Sequence, residues 1–310
     1  MFTRILVPTD FSAASDAALA YARGLAGTFD ATLHLLHVVD NIFLRAVAGD
    51  PHDQETAALR QLHERLTDAD RRRFRALPVV ERSDAPADEI VSYARSRDMD
   101  VVVMGTHGRG GVAHLLMGSV AEKVIRTAPC PVVTLREAPS RRTNANPTRI
   151  LVPTDFSPAS DAALGCARRL ATRFGGSLHL LHVLDDLSVG GTFGSEFYLA
   201  DSPDMRTARL KDARDRLAHR VMPDDRSQVH ATPEVIFGKS AQTIVDYAAD
   251  GDVDVIVMGT HGRSGMAHLL MGSVAESVIR TAPCPVLTVR DVAEPVTGRM
   301  VETGAAGATA

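Results

Sequence analysis

The sequence has little of several features that would assign a protein to a special class. It contains three cysteines in 310 residues, no CxxC pair and no tryptophan. Cys130, Cys166 and Cys284 are too few and too scattered for a disulfide framework or a zinc site, so we expect a reducing, cytoplasmic setting. No apolar run approaches the roughly 20 residues of a membrane helix. The first ten residues show no secretory pattern, so we expect no membrane partner and no targeting segment.

An excess of charge of one sign is also missing. Thirty-four lysines and arginines stand against 38 acidic residues, which gives a formal net charge of −4. A protein held to nucleic acid mainly by electrostatics would carry an excess of positive charge, so we expect no nucleic-acid partner. Hydrophobic residues make up 45% of the chain and charged residues 23%, which is typical of globular proteins. The length predicts about two domains.

The chain contains an internal sequence repeat with two copies. Residues 4–40 align without gaps on residues 149–185 and differ at 10 of 37 positions, and residues 100–136 align on residues 254–290 with 6 differences in 37. A period near 150 indicates duplicated domains, because solenoid repeats run about 20–50 residues. We predict a first domain over 1–138, a linker over 139–147, a second domain over 148–290 and a disordered tail over 291–310.

Within each copy, short apolar runs alternate with longer helical stretches. This pattern predicts an α/β fold with two tandem doubly wound, Rossmann-like domains, each a five-stranded parallel sheet with helices on both faces. Because ligands on such sheets bind beyond the carboxyl ends of the strands, where the strand order reverses, we expect a site after the first and fourth strands. In the first copy the predicted strands are 4–8, 32–39, 77–81, 101–105 and 131–135, and the predicted helices are 13–28, 54–75, 87–97 and 119–127.

A glycine-rich segment follows the fourth strand in both copies. Residues 104–120 read MGTHGRGGVAHLLMGSV, and residues 258–274 keep the spacing of Gly, two residues, Gly, nine residues and Gly-Ser. Glycines let backbone N–H groups approach a ligand, and a helix start adds unpaired donors and partial positive charge. This combination favours a phosphate ligand. The serines can add a hydroxyl. Arg109 and Arg263 either neutralise phosphate or are simply solvated.

The same serines have a purely structural alternative. Ser119-Val-Ala-Glu122 and Ser273-Val-Ala-Glu276 match the capping box, in which the serine caps its own helix. Gly118 and Gly272 would then be ordinary loop glycines. The spacing leaves both interpretations open.

A Pro-Thr-Asp-Phe-Ser motif follows the first strand in both copies, at residues 8–12 and 153–157. Asp10 and Asp155 stand at the carboxyl end of an apolar strand, where a carboxylate can accept hydrogen bonds from a ribose. Alternatively, each is a turn aspartate before a helix capped by Ser12 or Ser157. The residues alone do not decide between them.

The histidines also recur in both copies. His107 and His261 lie inside the glycine-rich segment and are placed near any ligand bound there. His34 and His37 are three apart on a strand, so they face opposite sides and cannot easily share a metal. We see no Ser-His-Asp order and no carboxylate cluster typical of hydrolytic machinery, and we expect no metal held by protein side chains.

Taken together, the motifs resemble the universal stress protein family. ILVPTDFS, LHLLHV and MGTHGRGGVAHLLMGSV followed by APCPVVTLR carry the resemblance, which covers nearly all of residues 4–136 and 149–290. The chain is similar to a tandem two-domain member of the ATP-binding subgroup, which carries this glycine spacing. The resemblance implies ATP with Mg²⁺ as the ligand and pairing of the two domains through their last strands, 132–135 beside 286–289. It leaves homodimer formation and protein partners open.

The resemblance also implies a role for each matching residue. The aspartate after the first strand holds the ribose, the residue after the second histidine of the second strand contacts adenine through its backbone, the methionine lines the base pocket, and the glycine-rich segment wraps the phosphates. The implied ATP-binding residues of the first copy are Pro8, Thr9, Asp10, Val38, Met104, Gly105, His107, Gly108, Arg109, Gly118, Ser119 and Val120. Those of the second copy are Pro153, Thr154, Asp155, Val183, Met258, Gly259, His261, Gly262, Arg263, Gly272, Ser273 and Val274.

The two copies depart from the family pattern and from each other. Family members often have glycine ahead of the third helix and proline two residues later, but the second copy has Gly238 and Ser240, and the first has Asp84 and Pro86. The second copy also has nine extra residues near 187–203, where we expect a mobile cover or a partner surface.

Three function classes follow from these observations. The leading expectation is a nucleotide-dependent regulatory module in the stress response, with one ATP site per domain. One alternative is a slow Mg²⁺-dependent ATPase. The other is a partner-binding protein whose glycines only make turns.

Overall fold

A computed structural model describes residues 1–39, 51–106, 117–136, 145–185, 203–260 and 271–290. Within these residues, ten strands form one continuous sheet. The strands are β1 (Arg4–Pro8), β2 (Thr32–Val39), β3 (Leu77–Arg82), β4 (Val101–Gly105), β5 (Val132–Leu135), β6 (Arg149–Pro153), β7 (Ser177–Leu184), β8 (Thr232–Phe237), β9 (Val255–Gly259) and β10 (Val286–Val289).

Helices cover both faces of the sheet, which confirms the predicted α/β fold with two tandem Rossmann-like units. The helices of the first half are α1 (Ala13–Phe29), α2 (Pro51–Arg65), α3 (Asp68–Phe74), α4 (Pro86–Ser96) and α5 (Ser119–Thr127). Those of the second half are α6 (Pro158–Phe174), α7 (Pro203–Ala218), α8 (Pro223–Gln228), α9 (Ser240–Asp250) and α10 (Ser273–Thr281).

The strand order is β3-β2-β1-β4-β5-β10-β9-β6-β7-β8. Neighbouring strands are parallel within each half, and the two halves meet where β5 pairs antiparallel with β10, so the predicted pairing of the last strands is present. Thr134 Oγ1 donates to the Val286 carbonyl at 3.2 Å, and Thr288 Oγ1 donates to the Val132 carbonyl at 3.1 Å. Because this junction is antiparallel, the strands of the two halves run in opposite directions. Their carboxyl ends therefore lie at opposite ends of the strands of the sheet, one set at the top and the other at the bottom.

Alternation along each strand divides the apolar residues between two cores. Ile5 and Val7 face the first core, which lies under α1, α2, α3, α6 and α7, whereas Leu6 faces the second core, which lies under α4, α5, α9 and α10. Both cores contain residues of both halves. Since side chains on both faces of the central strands are buried, these strands read as unbroken apolar runs rather than as alternating ones.

The predicted single helix over residues 54–75 is wrong, because the chain forms two helices there. Helix α2 ends at Arg65, and α3 begins after Thr67, whose side chain accepts a hydrogen bond from the Asp70 backbone N–H at 3.1 Å. The Asp70 carboxylate accepts a bond from the Thr67 N–H in return, at 2.8 Å. This capping box satisfies the donors of a new helix start and turns the chain.

The end of the predicted linker packs against the first half. Ala145 is buried, and a Cβ placed on Gly24 of α1 would lie only 2.2 Å from its Cβ. Thr28 Oγ1 donates to the Asn146 side-chain oxygen at 2.6 Å. Residues 145–147 are therefore part of the folded unit, while the rest of the linker, the tail over 291–310 and residues 187–202 of the expected cover lie outside the described residues.

None of the three cysteines forms a disulfide, and two of them are buried. Burial raises the pKa of the Cys130 thiol to about 12 and that of Cys166 to about 11, so little thiolate forms near neutral pH. In the described part of the chain, no helix is both long and apolar enough to cross a membrane.

Candidate functional site

The strand order reverses between β1 and β4 in the first half and between β6 and β9 in the second. After β1 the chain enters α1 on the first-core face, and after β4 it leads toward α5 on the second-core face. The chain therefore opens a crevice beyond the carboxyl ends of these two strands, where doubly wound sheets bind ligands. The two sequence motifs flank this crevice in each half.

The Asp10 turn, residues 8–12, lies on one side of the first crevice. Asp10 Oδ1 accepts hydrogen bonds from the Ser12 backbone N–H at 3.1 Å and the Ser12 hydroxyl at 2.6 Å. Ser12 is the N-cap of α1, so the predicted turn-and-cap arrangement is confirmed. The Asp10 side chain remains half-exposed at the strand edge. Asp10 thus takes part in a structural turn while its side chain stays only partly buried.

The Asp155 turn, residues 153–157, repeats this geometry at the carboxyl end of β6. Asp155 Oδ1 accepts from the Ser157 N–H at 3.0 Å and from its hydroxyl at 2.6 Å, and Ser157 caps α6. The intervening residues, Phe11 and Phe156, both have left-handed backbones, with φ of 66° and 67°. Such φ values are uncommon for residues with a large side chain.

Neighbouring side chains brace the Asp10 turn. Thr9, predicted to contact the ligand, is buried, and its hydroxyl accepts a hydrogen bond from the Phe11 N–H at 3.0 Å. His37 Nδ1 lies 2.7 Å from the Thr9 carbonyl, and its ring centroid lies 4.3 Å from that of Phe11. Thr154 and His182 make the same contacts in the second half. Threonine and histidine here shape the turn.

His34 faces the other side of β2, as its spacing from His37 predicts. Its Nδ1 lies 2.8 Å from the Tyr93 hydroxyl of α4. Burial, followed by the charges of Arg97 and Arg4, lowers the pKa of His34. The described residues hold no group of three His, Cys, Asp or Glu side chains suited to a metal.

The helix start on the other side of the crevice corrects the capping-box interpretation. The N-caps of α5 and α10 are Gly118 and Gly272, and neither helix has a side-chain cap hydrogen bond. Ser119 and Ser273 occupy the first helical position and are exposed. Because no side chain in the described part of the chain caps these helix starts, we expect their first-turn N–H groups to keep the donor capacity and partial positive charge that favour an anion.

Gly105 and Gly259, the last residues of β4 and β9, have a packing role. A Cβ on Gly105 would lie 2.8 Å from the Ala14 Cβ and 2.9 Å from its carbonyl carbon, and a Cβ on Gly259 would meet Ala159 at 2.9 Å. The first turn of α1 or α6 therefore rests directly on the strand end. Sequence reasoning assigned these glycines to the ligand and missed this contact, which the spacing alone does not reveal.

We expect Gly105→Ala to lower the free energy of unfolding by about 1–3 kcal/mol without any ligand present, because backbone atoms of α1 must move. The matched control is Gly165→Ala on α6, where a Cβ would meet only the Arg169 guanidinium at 3.9 Å. That change should instead stabilise the protein by about 0.5–1 kcal/mol, since alanine favours helix. Denaturant unfolding of both variants measures the difference, and equal effects would refute the packing role of Gly105.

Several apolar residues of β2, β4 and the start of α5 pack in or against the second core. Met104 is buried in the second core, and Val38 and Val120 pack against the same core from β2 and α5. Met117, which immediately precedes Gly118, joins them, although sequence reasoning did not single it out. In the second half the matching residues are Val183, Met258, Val274 and Met271. The methionine in the repeated motif Leu-Leu-Met-Gly-Ser was the available signal.

The two sites differ at their outer strands. Arg82, the last residue of β3, forms an ion pair with Glu55 of α2. The corresponding end of β8 is Phe237, and the Arg206 guanidinium of α7 lies 4.1 Å from its ring centroid. The departures at Gly238 and Asp84 fall in this region, and a Cβ on Gly238 would lie 2.4 Å from the Thr243 hydroxyl. The two halves are thus similar near β1 and β4 and distinct at the periphery.

Six predicted ligand contacts lie outside the described residues: His107, Gly108, Arg109, His261, Gly262 and Arg263. The remaining ones fall around the two crevices. Pro8 and Pro153 end β1 and β6, and each following threonine donates its N–H to a β2 or β7 carbonyl at 2.8 Å.

Comparisons with known proteins agree with this architecture. A universal stress protein of Mycobacterium tuberculosis is 32% identical over 197 residues, and the match spans 63% of each chain. One from Mycolicibacterium smegmatis is 29% identical over 300 residues, covering 92% of this chain and 96% of that one. The crystal structure of a universal stress protein from Archaeoglobus fulgidus shares the fold, with a TM-score of 0.66 at 22% identity over 93% of this chain and 98% of that one.

The family model gives the assignment directly. The model of the universal stress protein family matches residues 1–136 and again residues 147–290, which together make up most of the chain. Both matches coincide with the two halves of the sheet. The chain therefore belongs to the universal stress protein family.

Proposed function

We propose that each half of the chain binds one ATP, with Mg²⁺, in the crevice beyond β1 and β4 or beyond β6 and β9, and that occupancy regulates the protein in the stress response. One observation carries the proposal: at both switch points, a partly exposed carboxylate follows one strand, and a helix start with a glycine N-cap follows the neighbouring strand. Such a pair suits a ligand with hydroxyls at one end and phosphates at the other.

The Asp10 and Asp155 turns suit the ribose. Each carboxylate is held by two hydrogen bonds to one serine, which orient it toward the strand edge without burying it. Carboxylate oxygens accept hydrogen bonds from vicinal hydroxyls, and charged acceptors make stronger bonds than neutral ones. An aspartate already engaged in this way is suited to positioning a ligand rather than to removing a proton from water.

The starts of α5 and α10 suit the phosphates. Their first-turn N–H groups and the exposed hydroxyls of Ser119 and Ser273 provide donors where negative charge is favoured. We propose that Mg²⁺ is carried by the phosphate oxygens rather than by protein side chains, which agrees with the oxygen-rich coordination that this ion prefers. ATP would supply the negative charge that these helix starts attract.

The apolar patch suits the base. Met104 belongs to the second core, and Val38, Met117 and Val120 are partly buried against it. A flat heterocycle gains free energy by covering such surface, and methionine adapts well to aromatic rings. We therefore extend the base pocket to Met117 and Met271.

Native mass spectrometry and titration calorimetry test the proposal on the intact chain. We expect two ATP molecules per chain, and Asp10→Ala or Asp155→Ala should weaken its own site about 10–100-fold, since hydrogen bonds to charged groups contribute about 1.5–3 kcal/mol. Asp10→Asn keeps the turn acceptor and should have a smaller effect. Asp98→Asn, which removes an exposed carboxylate 3.6 Å from Arg4, is the matched control and should leave affinity unchanged.

Two results would overturn the proposal. The absence of bound nucleotide at saturating ATP would favour a partner-binding protein whose glycines serve packing. Steady release of phosphate that tracks the occupancy of the sites would favour the slow ATPase. We also propose a cytoplasmic location, which the lack of a disulfide among the three cysteines supports.

A further inference from the structure

Arg65, the last residue of α2, contacts the Asp10 turn. Arg65 Nη2 donates to the Phe11 carbonyl at 3.2 Å, and Arg65 Nε donates to Asp16 on α1 at 2.9 Å. The guanidinium carbon also lies 4.8 Å from the Phe11 ring centroid. Two of these contacts are with Phe11, the residue that follows Asp10, and the third is with Asp16 in the first turn of α1.

The left-handed backbone of Phe11 explains why the contacts with Arg65 matter. A residue with a side chain adopts positive φ at a cost in free energy, so contacts from the surroundings must hold it there. Phe11 lies between Asp10 and Ser12, the two residues joined by the carboxylate hydrogen bonds. A change in the Phe11 backbone would therefore rotate the Asp10 carboxylate away from its present direction.

The second half repeats the arrangement with different neighbours in sequence. Arg220 Nη2 donates to the Phe156 carbonyl at 3.3 Å, its Nε donates to Asp161 at 2.7 Å, and its guanidinium carbon lies 4.8 Å from the Phe156 ring. Arg65 follows Leu-His-Glu, whereas Arg220 follows Leu-Ala-His. The same three contacts thus recur in the part of the repeat where the two copies are least alike.

A partly buried ion pair adjoins the backbone of Arg65 and of Arg220. Arg23 of α1 donates to the Arg65 carbonyl at 2.6 Å and to the Asp70 carboxylate at 2.8 Å. Arg168 makes the equivalent contacts with Arg220 and Asp225. The main chain at the end of α2, and two residues after the end of α7, is therefore bonded to α1 or α6, and the arginine side chain extends from there to the turn.

We infer that Arg65 and Arg220 are positioning residues that hold the Asp10 and Asp155 carboxylates in the direction that receives the ribose hydroxyls. The inference rests on the proposed function for its ligand. Neither arginine contacts the ligand, and each acts through the backbone of the phenylalanine between it and the aspartate. Nucleotide affinity at each site then depends on how firmly α2 or α7 is docked.

Hydrogen exchange of the ligand-free, full-length protein tests the positioning without any nucleotide. The Ser12 N–H is bonded to Asp10 Oδ1, so its exchange rate reports on the carboxylate. We expect Arg65→Met to speed exchange in the peptide spanning residues 9–13 by about tenfold, as local opening becomes easier, while the peptide around Ser157 stays unchanged. Arg220→Met should do the reverse. Lys123→Met, which removes an exposed lysine paired with Asp88 and located away from α2 and α7, is the control and should change neither peptide.

Calorimetry with ATP tests the connection to the ligand. We expect Arg65→Met to weaken one of the two sites about tenfold, and to have little further effect when Asp10 is already alanine, because residues acting through one group are not additive. Arg65→Lys should keep the contact with Asp16 but not the second bond to Phe11, so its effect should be intermediate. This milder variant also serves if Arg65→Met does not fold.

The outcomes separate the two ideas. If the wild-type protein binds no ATP, the proposed function is refuted. If exchange around Ser12 is nevertheless faster in Arg65→Met, the positioning of Asp10 by Arg65 remains supported. Unchanged exchange in both Arg65 variants, or an additive loss of affinity with Asp10→Ala, would overturn the positioning role.

Discussion

Replacing Arg23 with methionine should lower the free energy of unfolding by about 3–5 kcal/mol, because the change leaves a buried carboxylate without its ionic partner. The Asp70 side chain is 5% exposed and receives two bonds from the Arg23 guanidinium, at 3.0 and 2.8 Å. The Thr67 N–H still donates to it in the variant, so Asp70 keeps one neutral partner. Urea or guanidinium unfolding at neutral pH measures the loss.

The pH dependence identifies the cause. Burial by itself would raise the pKa of Asp70, but hydrogen bonds from Arg23 and Thr67 bring it below its ordinary value of 3.8. The wild-type contribution is therefore present above about pH 4 and is lost as the pH falls through the folded pKa. Without Arg23, burial favours the protonated form, so the deficit of the variant should shrink between pH 7 and pH 4.5.

Two further variants serve as comparisons for Arg23→Met. Arg71→Met removes an ion pair with Asp68 whose side chains are 38% and 75% exposed, and it should cost less than about 1 kcal/mol. Arg168→Met should reproduce the large loss in the second half, where the Asp225 side chain is 8% exposed. A deficit for Arg23→Met that is small or independent of pH would show that the pair does not stabilise the fold.

Replacing Val133 with aspartate should be at least as damaging, because it places a charge at the junction of the two halves. Val133 is 3% exposed and lies between Val103 of β4 and Leu287 of β10. Moving a carboxylate into such a site without a partner costs several kcal/mol, and we expect a loss of about 4 kcal/mol or more. Denaturant unfolding of the full chain measures the effect.

The controls distinguish charge from position. Val133→Thr keeps the shape and adds a hydroxyl without charge, so it should cost about 1–2 kcal/mol. Leu77→Asp introduces the same charge on β3, an outer strand, where the leucine is 47% exposed, and it should change stability by less than about 1 kcal/mol. If Val133→Asp were as mild as Leu77→Asp, β5 and β10 would not pair within one chain.

Much of the fold could be predicted from local patterns. β1, β2 and β4 have the predicted bounds, because both faces of these strands are buried and their apolar runs end abruptly at polar or glycine residues. Ser12 and Ser157 cap their helices as their position before an apolar helical stretch predicts. The break between α2 and α3 was missed, because Thr67 and Asp70 lie within a stretch whose composition suits one long helix.

The candidate site was predicted in part. The crevice follows from the order of strands and helices, and Asp10 with Gly118 lies beside it. Sequence spacing could not tell that Ser119 begins its helix rather than caps it, since the choice between Gly118 and Ser119 as N-cap depends on how the preceding residues enter the helix. It also could not find Arg65, whose contacts with Phe11 and Asp16 bridge residues about 50 positions apart.

The sequence by itself determined the duplication, the α/β class, the family resemblance and the two motifs that flank each crevice, because these depend on short-range periodicity and on residues close together in the chain. Only the tertiary structure decided that the two sheets join through β5 and β10, that Gly105 makes room for Ala14, and that a distant arginine holds each aspartate turn. These three features arise from close approach between segments far apart in the chain, and the packing of backbone and side chains selects them.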